Sequence, residues 1–271
     1  MPSSISFDQK RSKRYTESMA TPHDIADSAT SISALTAARD RLIVALDLPD
    51  AVLVRQFLPR LEGQCRWLKV GLELFVAAGP AIISELVESG YSVFLDLKLH
   101  DIPNTVAGAV KTASTLGASL LTLHAAGGPH MLHAALDAAA SMPKAPTLLA
   151  VTVLTSMNSQ QLHATGIPQP PSQQVELLAR MGLAVGMRGF VCSAEESAQL
   201  RTICGAETSL VVPGIRPAGV ALDDQQRVAT PTLALQNGAS YLVVGRPIVQ
   251  APEPASAAAA ILSEMASALQ T

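Results

Sequence analysis

The stretch Leu42-Ile43-Val44-Ala45-Leu46-Asp47-Leu48-Pro49-Asp50 decides the fold. Its first half is an unbroken apolar run, which reads as a strand covered on both faces. The turn after the run matters more. A doubly wound sheet that binds a dinucleotide passes from its first strand into its first helix through G-x-G-x-x-G. Here the turn is Asp47-Leu48-Pro49-Asp50, with an acid at the strand end and no glycine.

Beyond this stretch the chain repeats the same unit. Further apolar runs read as buried parallel strands at Trp67–Val70, Ser92–Leu97, Leu120–His124, Thr147–Leu154, Gly189–Cys192, Ser209–Val212 and Tyr241–Val244. Helical spacing fills the intervals at Ala51–Leu61, Ala81–Ser89, Thr105–Leu116, Met131–Ala140, Val175–Val185, Ala194–Ile203 and Pro231–Gln236, and Ala255–Leu269 closes the chain. Strict βα alternation allows an open sheet or a closed barrel. Eight even units and no dinucleotide fingerprint favour an α/β architecture with one domain, a (β/α)8 TIM barrel over residues 41–271. Residues 1–40 are rich in Ser, Thr and Ala with mixed charge, and are expected to be a poorly ordered extension.

Composition sets the broad class. Of the 271 residues 48% are hydrophobic, 15% charged and 3% aromatic, so the core is aliphatic. A net charge of -3 does not favour a nucleic-acid or membrane surface. No apolar run approaches the roughly 18 residues of a bilayer span, and the N-terminus lacks a signal-peptide core. Cys65, Cys192 and Cys204 show no CxxC spacing and read as reduced thiols in a cytoplasmic protein.

Barrel enzymes place their chemistry at the C-terminal strand ends. There the chain carries Asp47 after strand 1, Lys69 on strand 2, Asp96 and Lys98 on strand 3, and Thr155 at the end of strand 5. Arg216 and Gln225 come after strand 7, and Gly245-Arg246 after strand 8. Asp96 and Lys98 are two apart, so an extended strand points both into the mouth. Such a set is either a compensated salt-bridge cluster closing the barrel or a functional constellation. Four charges at strand ends beside a phosphate-type loop point to function. Gly245-Arg246 occupies the usual phosphate position of barrels, where a forked guanidinium matches phosphate oxygens. The stretch 214–228, with Gly214 and Gly219 as pivots, reads as a lid. Other polar residues carry less. His130 and His133 have no carboxylate beside them in a metal-ligand pattern and read as surface or helix-edge residues, His124 reads as a packed histidine, His100 receives no role, and Asp223-Asp224 reads as solvated loop charge.

Asp96-x-Lys98-x-x-Asp101-Ile102-Pro103-Asn104-Thr105 resembles the signature of the orotidine 5'-monophosphate decarboxylase family. Ala45-Leu46-Asp47, Leu68-Lys69-Val70-Gly71, Val153-Leu154-Thr155-Ser156, Pro213-Gly214-Ile215-Arg216-Pro217 and Val244-Gly245-Arg246-Pro247 resemble further blocks of that family, in its order. The resemblance covers residues 41–268 and implies conversion of orotidine 5'-monophosphate to UMP and CO2 without a cofactor or metal. It implies a homodimer with shared sites. Lys98 would protonate C6, Asp96 would face the departing carboxylate, and Asp101 and Thr105 would reach the partner's site. Asp47 and Lys69 would hold the ribose, Thr155 the pyrimidine, and Gln225, Gly245 and Arg246, with Arg216 nearby, the phosphate.

The chemistry suits these residues. Loss of CO2 from C6 leaves a poorly delocalised carbanion, and a fixed cation such as Lys98 can stabilise it electrostatically. Two rivals stand beside this reading. A Mg-dependent 3-keto-gulonate 6-phosphate type decarboxylase would carry an acidic ligand where strand 2 has Lys69. A non-catalytic nucleotide-binding barrel would give no reason for a lysine between two aspartates.

Overall fold

The computed structural model describes residues 32–217 and 229–270. Eight parallel strands close into a barrel in sequence order: β1 Leu42–Ala45, β2 Trp67–Gly71, β3 Ser92–Leu99, β4 Leu120–His124, β5 Thr147–Val151, β6 Gly189–Val191, β7 Ser209–Val212 and β8 Tyr241–Val244. Closure rests on the β1–β8 pairing, Leu42 with Leu242 through Val44 with Val244. The period-two rule of strands divides each strand between two apolar layers. On β1, Leu42 and Val44 face the surrounding helices, while Ile43 and Ala45 face the barrel axis. The axial layer also holds Phe94, Leu120, Leu149, Val211 and Val243. Below it Trp67 meets Tyr241 edge to face, with ring centroids 5.4 Å apart. The barrel axis is therefore filled by apolar side chains below the C-terminal mouth.

The outer helices are α1 (32–39), α2 Ala51–Phe57, α3 Leu72–Ala78, α4 Ala81–Glu88, α5 Pro103–Thr115, α6 Gly128–Ala140, α7 Ser159–Ala164, α8 Pro171–Ala184, α9 Ala194–Cys204, α10 Pro231–Gln236, α11 Arg246–Val249 and α12 Pro254–Leu269. Several differ from the sequence reading, each for a local reason. Residues 32–39, expected to lie in a poorly ordered extension, form α1, because Ala34 and Ala38 stand one turn apart and both bury into the core. The long helix expected at Ala51–Leu61 ends at Phe57 and continues as a 3-10 turn, Leu58–Leu61, in which Pro59 lacks the N–H that an α-helix would use. α5 starts at Pro103 and α8 at Pro171, earlier than expected, since proline suits a first helical turn. α6 begins at Gly128 rather than Met131. α7 has no counterpart in the sequence reading, although Asn158 and Gln161 form a reciprocal capping box. β5 ends at Val151, so Thr155 stands in the turn beyond the strand and not at its end.

The important departure is in β3. The spacing predicts a plain extended strand carrying Asp96 and Lys98. Instead the register shifts: Leu95 pairs with Leu121, and Leu99 with Leu123. Asp96, Leu97 and Lys98 thus stand against Thr122 alone. The bulge puts Lys98 at φ 50°, a left-handed conformation uncommon for a residue with a Cβ.

At the opposite end of the barrel Arg201 of α9 ties down the strand entrances. It donates to the carbonyls of Gly205, Ala206, Thr208 and Gly238 and to Ser240 Oγ, at 2.7–3.1 Å. Arg201→Ala leaves these acceptors without their donor. It is expected to lower unfolding free energy by about 2–4 kcal/mol, read as a shift of the urea midpoint.

Candidate active site

β1, β2 and β3 end side by side and deliver alternating charges into one cavity at the mouth. Lys69 Nζ lies 3.0 Å from Asp47 Oδ1 and 3.7 Å from Asp96 Oδ2. Lys98 Nζ lies 2.9 Å from Asp96 Oδ1. The result is a chain of four alternating charges, Asp47–Lys69–Asp96–Lys98. Asp96, the interior carboxylate, is only 9% exposed. A buried anion persists only with compensating charge and donors, and this one has two ammoniums and a hydroxyl. The hydroxyl belongs to Thr122, which donates to Asp96 Oδ1 at 2.9 Å.

Backbone without side chains makes room for the network. A Cβ on Gly71 would stand 2.9 Å from Lys69 Nζ, and a Cβ on Gly245 would stand 3.1 Å from Asp47 Oδ2. The Asp47–Lys69 pair is thus seated between two glycines that close on it.

The same cavity is lined by Thr155, Arg216, Gly245 and Arg246, with Phe94 from the apolar layer at its floor. Arg216 is nearly fully buried. Lys69, Lys98, Arg216 and Arg246 outnumber Asp47 and Asp96, so the lining is net cationic and suits a polyanionic ligand. Ile215 and Ala229 form an isolated bridge beside Arg216. Gln225, Asp223, Asp224 and most of the expected lid at 214–228 lie outside the described residues, as does the start of the expected extension.

Two expected residues do not join the chain's own cavity. Asp101 and Thr105 are exposed at the start of α5, and neither lines the pocket. Asp101 Oδ1 accepts from the backbone N–H of Ile102 at 2.6 Å.

Of the histidines, His133 pairs with Asp137 at 3.0 Å on the outer surface of α6. His124 is half-buried at the end of β4, with its ring 5.3 Å from that of His100. Burial, then the nearby His100 and Lys98, push its pKa down, against the opposing pull of Asp96. Among the described residues no cluster of three or more His, Cys, Asp or Glu could hold a metal ion. Cys65 and Cys192 are buried, and burial pushes both thiols up to about 12.

The sequence reading missed Thr122. Its signal was available: a polar residue at an inward position in the middle of the strand, two after Leu120 and flanked by Leu121 and Leu123.

The chain is similar to known proteins over most of its length. Residues 40–261 match the family described as orotidine 5'-phosphate decarboxylase / HUMPS. An orotidine 5'-phosphate decarboxylase of Opitutus terrae is 49% identical over 226 residues, covering 83% of this chain and 98% of that protein. One from Halorhodospira halophila is 50% identical over 228 residues, covering 84% and 97%. The crystal structure of orotidine 5'-phosphate decarboxylase from Lactobacillus acidophilus superposes with a TM-score of 0.75 at 40% identity, over 83% of this chain and 99% of that one.

The glycine seat can be tested. In Gly71→Ala the new methyl crowds only the terminal ammonium of Lys69, with Asp47 Oδ1 at an ordinary 3.8 Å, so stability should change by less than about 1 kcal/mol. The Lys69 ammonium should move by roughly half an ångström or more to restore normal contact. A crystal structure with an unmoved Lys69 would refute the close approach.

Proposed function

The chain belongs to the orotidine 5'-phosphate decarboxylase / HUMPS family, and we propose that it converts orotidine 5'-monophosphate to UMP and CO2 in pyrimidine biosynthesis through the charged mouth of the barrel. The observation that carries the reading is the Asp47–Lys69–Asp96–Lys98 chain beside two arginines in one cavity. The substrate carries a phosphate and a carboxylate, which complement the cationic excess.

The division of labour is the one that the family resemblance implies. Arg246 and Arg216, after β8 and β7, hold the phosphate, with Gly245 alongside and Gln225 supplied from the segment between them. Asp47 and Lys69 hold the ribose hydroxyls, and Thr155 the pyrimidine. On the same resemblance, C6 stands over Asp96 and Lys98. When the C6–carboxylate bond breaks, its electron pair remains on C6 and CO2 departs. Lys98 transfers a proton from Nζ to that pair and regains one from solvent. Asp96 keeps the lysine charged and aimed, and it faces the leaving carboxylate. Enzymes lower barriers by roughly 8–23 kcal/mol, more than one cation supplies. Phosphate binding remote from C6 must contribute to holding the base in place.

The reading extends to a homodimer working in the cytoplasm. Asp101 and Thr105 stand exposed outside their own cavity, beside Ile102 at 67% exposure. On the neighbouring unit Leu72 and Val76 of α3 are 55% and 80% exposed. Apolar side chains this open beside a signature segment suit a partner subunit that receives Asp101 in its site. No helix among the described residues is long and apolar enough to cross a membrane.

Addition of orotidine 5'-monophosphate to EDTA-treated protein should give a steady loss of the substrate's ultraviolet absorbance. Activity that vanishes with EDTA and returns with Mg2+ would shift the assignment to a sugar-phosphate decarboxylase. Lys98→Ala should lose about three orders of magnitude in kcat or more with its fold intact, since both acid and cation are gone.

Sharing of sites has its own test. Lys98→Ala and Asp101→Ala should each be inactive alone, but a mixed dimer would pair the intact Lys98 of one chain with the intact Asp101 of the other at one of its sites. Subunit exchange should restore about half the wild-type activity per mixed dimer. No recovery after confirmed exchange means that Asp101 serves its own chain.

A further inference from the structure

We propose that Thr122 is a positioning residue for this reaction, whose hydroxyl holds Lys98 in its left-handed turn and aims the Asp96 carboxylate at the Lys98 ammonium. The inference rests on the decarboxylase reading of the mouth.

Thr122 is fully buried in the middle of β4. A hydroxyl out of reach of water must find its partners within the protein. It finds two. The backbone N–H of Lys98 donates to Thr122 Oγ1 at 2.9 Å, and Oγ1 donates to Asp96 Oδ1 at 2.9 Å. The directions are fixed by chemistry. A backbone N–H can only donate, so the hydroxyl accepts there, and its one proton goes to the carboxylate. Asp96 Oδ1 also accepts from Lys98 Nζ at 2.9 Å. One oxygen of Asp96 therefore links the hydroxyl and the reactive ammonium.

The register explains why this residue matters. Three residues of β3, from Asp96 to Lys98, stand against Thr122 alone. The bulge takes the Lys98 N–H out of the regular ladder, and the hydroxyl receives it. Lys98 at φ 50° lies where a side chain is disfavoured, so the turn persists only while its surroundings hold it. Without the hydroxyl, the N–H loses its acceptor and Asp96 loses a donor. The ammonium then loses its fixed approach to C6. The phosphate and ribose contacts lie on β1, β2 and the segments after β7 and β8, away from β4, so binding should be spared.

The test compares Thr122→Val, which keeps the shape and removes the hydroxyl, with Thr122→Ser, which keeps the hydroxyl. Circular dichroism and melting establish that each is folded, and Thr122→Ala replaces the valine variant if that one does not fold. Thr122→Val should lose about 10- to 100-fold in kcat, as expected for a misplaced reacting group, with KM changed by less than about threefold. Thr122→Ser should recover most of kcat. In crystal structures Lys98 should leave the left-handed region in Thr122→Val and keep it in Thr122→Ser. Wild-type kcat in the valine variant, a loss that serine does not recover, or an unchanged Lys98 turn without the hydroxyl would each overturn the proposal. If the wild type itself fails to decarboxylate the nucleotide, the functional reading falls. The Lys98 backbone in the variants still decides whether Thr122 holds the turn.

Discussion

Asp96 cannot remain an anion where it sits unless its neighbours compensate it. It stands at the boundary between the packed axial layer and the polar mouth, one inward position above Phe94. Transferring a carboxylate from water to such a place costs several kcal/mol even after relaxation. Three groups offset that cost: the ammoniums of Lys69 and Lys98 and the hydroxyl of Thr122. Each arrives from a different direction, along β2, β3 and β4. This one carboxylate thus links the ends of three neighbouring strands beyond what the ladder provides. The compensation continues outward to Asp47, whose side chain is about half exposed and can be solvated. The two interior members of the chain, Lys69 and Asp96, are its driest, and Lys98 and Asp47 at its ends are more open to solvent.

The apolar layer underneath is part of the same device. Ile43, Ala45, Phe94, Val211 and Val243 exclude water from below. A low-dielectric floor strengthens every interaction above it. The same floor makes an unpaired group there costly, so the site tolerates few arrangements.

Most of the fold was legible because parallel strands buried on both faces leave continuous apolar runs, as at Leu42–Ala45 and Ser209–Val212. Alternation then specified the barrel. Two short helices, α3 and α11, were not legible, since they run on from strand ends with no polar linker to mark them, whereas the equally short α10 was expected at Pro231–Gln236 and lies there. The charged residues of the site were legible, since strand termini and two-residue spacing locate Asp47, Lys69, Asp96 and Lys98. The conformation that makes Asp96 and Lys98 a pair was not. Spacing of two reads as an ideal strand, whereas the bulge depends on what β4 presents across the gap. That is tertiary information, held by Thr122 in another unit of the chain.

The left-handed turn at Lys98 can be weighed against what it provides. A residue with a Cβ held at positive φ costs about 1–3 kcal/mol. Glycine would remove that cost but also the ammonium, leaving Asp96 to rely on Lys69 at 3.7 Å and on Thr122. Against this stands a barrier reduction of roughly 8–23 kcal/mol for enzymes generally. Electrostatic stabilisation of a developing carbanion is effective when the cation is in place beforehand and need not reorganise. A lysine on a straight, unconstrained strand end keeps its rotamer freedom and must be ordered during the reaction. One held by its backbone N–H at Thr122 and by its ammonium at Asp96 is ordered already. The strain and the fixed position of the ammonium therefore share a cause: β3 gives up regular pairing over Asp96–Lys98, and both ends of Lys98 are held by buried partners.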